Sequence, residues 1–153
     1  YRFWMALPFV QEGMMAAGVY AVSEAGRQRF DVFPDVISDD GFFRLHFANG
    51  ERIEVPDAVS TVVAPSAWAD LIRIKTRSRV GVYQLEQRFA EMFTSEKQTK
   101  RYGGALLAIV RQPALYPAAL PFLVASLVSR VRARRQFQAA TPYVWERDHS
   151  SRA

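Results

Sequence analysis

Residues 37–45 read Ile-Ser-Asp-Asp-Gly-Phe-Phe-Arg-Leu, setting the carboxylates of Asp39 and Asp40 beside Gly41 at a predicted loop-to-helix junction. A carboxylate pair at such a point can serve as a base or a metal ligand. Further along, Arg73, Lys75, Arg77 and Arg79 form a row of cations, and guanidinium groups suit bidentate capture of phosphate oxygens. The two sets together could displace a nucleoside diphosphate. A carboxylate would deprotonate the incoming hydroxyl, and a guanidinium would neutralise charge on the leaving group. Each set also has a plainer use. An aspartate at a helix start can simply cap it, worth about 1 kcal/mol. Asp70 precedes Arg73 at helical contact spacing and could pair with it, which would not account for Arg77.

Regular elements must hold these groups in place. Gly18-Val19-Tyr20-Ala21-Val22 reads as a short buried strand. Ser23 suits an N-cap for a short helix through Phe30, with Glu24 in its first turn, and Pro34 breaks that pattern. Asp39 or Asp40 could cap a second helix, Gly41 to Ala48, ended by Asn49-Gly50. Arg52-Ile53-Glu54-Val55 alternates as a half-buried strand should, and Val59 to Val63 predicts another strand after the Pro56-Asp57 turn. Pro65-Ser66 announces the next helix. On a wheel at about 100° per residue, Leu71, Ile72, Lys75 and Arg79 share the Trp68 side, with Arg73 and Arg77 opposite. Two stacked cations repel by a few tenths of a kcal/mol unless an anion joins them. His46 has no second ligand at metal spacing and is read as structural; His149 carries no signal.

The 153 residues suffice for one ordinary domain, and half are apolar. Phe 11, Tyr 6 and Trp 3 argue against disorder. The lack of cysteine excludes disulfide frameworks, thiolate catalysis and Cys-ligated zinc. The chain opens on Tyr1-Arg2-Phe3-Trp4 and shows no signal peptide, so a piece of a longer protein is expected. Charge is divided unevenly. Residues 1–72 carry 5 basic and 10 acidic side chains, whereas residues 73–135 carry 13 basic and 3 acidic. The later part is therefore expected to face an anionic partner, with a solvated basic face as the alternative.

Gln112 to Ser129 is an uncharged run of 18 residues, close to the roughly 17–25 that span a bilayer. Pro113, Pro117 and Pro121 are expected to break its first half, leaving a compact apolar helix from Phe122. Arg130, Arg132, Arg134 and Arg135 follow at once. An apolar segment ending in a basic cluster fits one lying at, or dipping into, an anionic cytoplasmic leaflet. A buried core helix with a basic C-terminus is the alternative. Three regions follow: residues 1–100, a membrane-associated apolar and basic helical segment at 101–136, and a polar tail at 137–153.

In order and spacing, residues 10–90 resemble the second, acceptor-side half of the inverting family 2 glycosyltransferases. The likeness runs through Gly18-Val19-Tyr20-Ala21-Val22-Ser23, Ile37-Ser38-Asp39-Asp40-Gly41, Val55-Pro56-Asp57-Ala58-Val59 and Asp70-Leu71-Ile72-Arg73-Ile74-Lys75-Thr76-Arg77. It implies an α/β fold: part of a GT-A-like mixed sheet with flanking helices, followed by a helical membrane-proximal extension. It makes Asp40 the catalytic base, with Asp39 beside it raising its pKa or orienting a metal-bound diphosphate. Arg77, helped by Arg73, would bind the diphosphate, while Gly18 and Gly41 would lie close to substrate. The family's Gln-x-x-Arg-Trp motif falls on Ile74, Lys75, Thr76, Arg77 and Ser78, where only the arginine is kept. That departure favours transfer of single sugars over processive synthesis. No Asp-x-Asp occurs in the chain, so a divalent cation, Mg or Mn, is expected to be held mainly by an N-terminal half not included in this chain, with no metal site here. The implied partners are a nucleotide-diphosphate sugar, a sugar or lipid-linked acceptor and an anionic membrane surface, at the cytoplasmic face of the membrane. The competing reading is a non-catalytic basic module at a membrane surface, or a scaffold derived from a transferase. Nucleic acid is not expected as a partner, because no recognition motif or stacking platform is visible.

Overall fold

The computed structural model describes residues 3, 19–53, 55, 57–59, 61, 63–99 and 113–139. Among these residues the regular structure is entirely helical: α1 (Glu24–Arg27), α2 (Asp39–Leu45), α3 (Trp68–Arg88), α4 (Ala90–Thr99) and α5 (Tyr116–Gln138), with single 3₁₀ turns at Asn49–Glu51 and Pro113–Leu115. No strand occurs among the described residues, so the expected α/β fold with a mixed sheet is overturned. In the segments read as strands, the described β-branched residues lie outside any regular element. Ile53 is 89% exposed and Val59 82%. β-Propensity describes a fit to a pleated, half-buried surface, and without a partner strand there is no ladder to join.

Local chemistry accounts for the short helices. Ser23 caps α1, its Oγ accepting from Gly26 N at 3.2 Å, as the sequence suggests. Arg29 ties α1 to the turn after α2. It donates to His46 O at 2.7 Å and to the Glu51 carboxylate, and its guanidinium lies over the Phe47 ring. α2 buries Phe42 and Phe43 into a core with Phe30, Leu85 and Phe93. Phe30 meets both α2 phenylalanines edge-on, at 5.5 and 5.9 Å, the arrangement the ring quadrupole favours. His46 belongs to the same cluster: its ring packs on Phe30 and Phe42, with Nδ1 3.0 Å from Phe42 O.

α3 is the spine of the molecule, packing against α2, α4 and α5. Its last turn gives way at Phe89, whose N–H still reaches Leu85 O, and α4 begins at the next residue. α5 runs in the same direction as α3, since Lys75 meets Phe122 and Tyr83 meets Phe137 further along. The residues α5 buries are small and four apart, Ala125, Ser129 and Ala133. Small side chains at that spacing let two helices approach closely. The prolines do not break the start of α5 as expected. Pro117 lies in the first turn, where backbone N–H groups have no intrahelical partner anyway, so Pro121 alone interrupts the ladder. Pro113–Gln138 is long and apolar enough to cross a membrane by length and composition, and little of its most apolar stretch is buried.

Candidate functional site

The three residues on which the chemistry was expected to depend come together. A cavity of about 470 Å³ lies where the start of α2 faces α3. Asp39 and Asp40 line it from α2, Arg77 and Ser78 from α3, and Val19, Tyr20, Ile37 and Ser38 complete the wall. Asp39 and Asp40 are exposed, while Arg77 is half-buried.

At the same time, the carboxylates cap. Ser38 holds the N-cap position but makes no capping bond of its own. Instead its Oγ donates to Asp40 Oδ1 at 2.8 Å, and the same oxygen accepts from Gly41 N at 2.7 Å. Asp39 Oδ1 accepts from Asp40 N at 2.9 Å. These bonds fix both carboxylates in the cavity wall.

The loop before α2 is gripped by one stripe of α3. Gln84 Oε1 accepts from Ile37 N at 2.9 Å, and Arg88 donates to Asp35 O at 2.7 Å. Between Arg77 and Gln84 stands Gly81, where a Cβ would come within 2.8 Å of Ser38 Cβ and 3.1 Å of Ser38 N. Arg77, Gly81, Gln84 and Arg88 recur at spacings of four and three, so they share one helical face. The helix that carries the guanidinium thus also fixes the loop that carries the carboxylates. Nothing in the sequence alone marked Gly81 or Gln84, because the need for them arises only when the loop docks.

Tyr20 also escaped the sequence reading as a site residue. Its ring stacks on Phe43 at 4.4 Å and borders the cavity. Burial, and then the Asp39 and Asp40 carboxylates, push its hydroxyl above the ordinary tyrosine value. The phenol accordingly stays a neutral donor beside two anions.

Two expected members take other roles. Arg73 turns to the buried Asp70, donating at 2.6 Å, and is not among the residues lining the cavity. The simple pairing suggested by their spacing therefore holds for Arg73. Gly41 is closely packed: a Cβ there would meet Ser38 Oγ at 2.5 Å and Leu85 Cδ1 at 2.7 Å. Gly18 lies outside the described residues.

For a divalent cation the cavity offers two adjacent carboxylates, each with one oxygen already accepting a backbone N–H. No group of three or more metal-ligating side chains occurs among the described residues. Two carboxylates would supply only part of a magnesium shell, the remainder coming from waters and substrate phosphates. Comparisons with protein-family models, with curated proteins and with solved structures return no match for this chain.

Proposed function

We propose that this chain supplies the acceptor-side part of a nucleotide-sugar-dependent glycosyltransferase, moving a single sugar with inversion onto an acceptor hydroxyl. Asp40 takes the proton of that hydroxyl as its oxygen attacks the anomeric carbon. The bond to the diphosphate breaks on the opposite face, and Arg77 meets the charge that develops there. Asp39 keeps the helix start in register, and Tyr20 offers a neutral hydroxyl to a sugar oxygen. One observation supports this reading above the rest: a carboxylate pair and an arginine from separate helices line one cavity of a size suited to a small ligand. The sheet fold implied by the family resemblance is no part of the proposal.

The acceptor is a sugar or lipid-linked sugar at the cytoplasmic face of a membrane, a placement supported by the apolar α5 and the arginines at its end. The second reading, a non-catalytic module at a membrane surface, draws on that same helix and leaves the Asp40–Arg77 cavity without a role. Asp40→Asn in the full-length protein separates the two. Loss of a general base predicts a transfer rate lower by about 10²–10⁴-fold, with diphosphate binding retained. An unchanged rate removes Asp40 from the chemistry.

A further inference from the structure

The face of α5 turned away from α3 is an aliphatic stripe. Leu120, Leu123, Leu127 and Val131 recur along it, and Leu120 is 68% and Leu127 63% exposed. Ala125, Ser129 and Ala133 lie on the opposite side of the helix. At the C-terminal end the stripe runs into Arg134 and Arg135, with Arg130 at its edge, all three exposed. Apolar side chains leading into cations are complementary to acyl chains beneath anionic headgroups.

Length and composition alone would let this helix cross a bilayer. Its partner argues against that. Lys75 on α3 lies 4.9 Å over the ring of Phe122, and Phe122 sits near the middle of the uncharged run 112–129. Burial, and then the nearby charges of Arg79 and Arg130, push the Lys75 ammonium below its ordinary pKa. Because α3 runs alongside α5, a crossing helix would carry Lys75 to the bilayer centre, with Arg79 and the Asp70–Arg73 pair close behind. Few side-chain placements are costlier.

We propose that α5 lies flat in the headgroup–acyl boundary of an anionic membrane and does not cross it. Its leucine stripe faces the acyl chains, Arg130, Arg134 and Arg135 meet lipid phosphates, and α3 covers it on the aqueous side. Arg77 and Gly81 lie about 120–160° round α3 from Lys75 and Tyr83, the residues that meet α5, so the cavity they border lies away from the α5 side. The orientation stands on α5 and α3 alone and does not depend on the catalytic reading.

The chain has no cysteine, so single replacements Leu120→Cys, Leu127→Cys and Val131→Cys can each carry an environment-sensitive fluorophore without a background label. The full chain is mixed, without nucleotide, with vesicles of phosphatidylcholine alone or with added phosphatidylserine. The expected result is binding to the anionic vesicles, weakened about fivefold for each of Arg130, Arg134 and Arg135 changed to Gln. All three labels are then quenched by lipids spin-labelled near the headgroup. A crossing helix would instead separate the labels at 120 and 131 by about 16 Å in depth, and that gradient overturns the proposal. Equal binding to neutral vesicles also overturns it, as does a stripe shielded from lipid in a dimer. None of these outcomes bears on diphosphate binding, which tests the catalytic reading separately.

Discussion

Asp40 shows why a single side chain at a helix start is hard to assign from sequence. A cap and a base want the same residue at the same place, and here one carboxyl oxygen accepts from both Ser38 Oγ and Gly41 N. The Asp39-Asp40-Gly41 spacing was legible, and so was the pairing of Arg73 with Asp70. Tyr20 was not, because its closeness to the carboxylates depends on the stacking of its ring on Phe43. Glu51 makes a residue-scale prediction. Hydrogen bonds from Arg29, then from Ala48 N, hold its carboxyl down to about 2, below an ordinary 4.5. A depressed carboxyl stabilises the fold above its unfolded value and loses that contribution as pH falls through the folded one. The stability advantage of the wild-type chain over Glu51→Gln is therefore full above about pH 4.5 and fades toward pH 2, and salt weakens it because the pair is exposed. Thermal melts of both chains across that range check it; a difference independent of pH contradicts it.

At the scale of elements, α1, α2 and α3 were foreseeable from caps and periodicity, whereas no strand occurs among the described residues. Val19, Val55 and Val63 carry the composition of strands, yet a strand exists only through a neighbour, and none lies beside them among the described residues. The start of α5 failed for the opposite reason. Proline was read as a breaker where helix starts accommodate it. The decisive element is the α3 stripe of Arg77, Gly81, Gln84 and Arg88, which holds the 35–38 loop against the helix. Gly81→Ala forces a methyl group toward the Ser38 backbone and should destabilise the chain by about 1–3 kcal/mol, as overpacking does. The loop, with Asp39 and Asp40, would also be displaced from Arg77. Denaturant titration together with diphosphate binding checks both effects, and wild-type values in both would show that the close approach is not needed.

At the scale of the molecule, α3 joins two surfaces among the described residues: a cavity with carboxylates and a guanidinium, and an aliphatic, arginine-ended helix. The division of charge along the chain foreshadowed this arrangement, since the acidic first part supplies the aspartates and the basic later part supplies Arg77 and the end of α5. What could not be read was the packing that makes two distant segments one site. The central claim, that Arg77 and not Arg73 holds a diphosphate in the cavity shared with Asp40, has a direct test. Inorganic pyrophosphate is titrated calorimetrically into the wild-type chain and into Arg77→Ala, Arg73→Ala and Asp40→Asn. Losing a charged hydrogen-bonding partner predicts binding weaker by about 10- to 100-fold for Arg77→Ala, with Arg73→Ala near wild type and Asp40→Asn no weaker. Equal affinity in wild type and Arg77→Ala, or a loss confined to Arg73→Ala, would contradict the account.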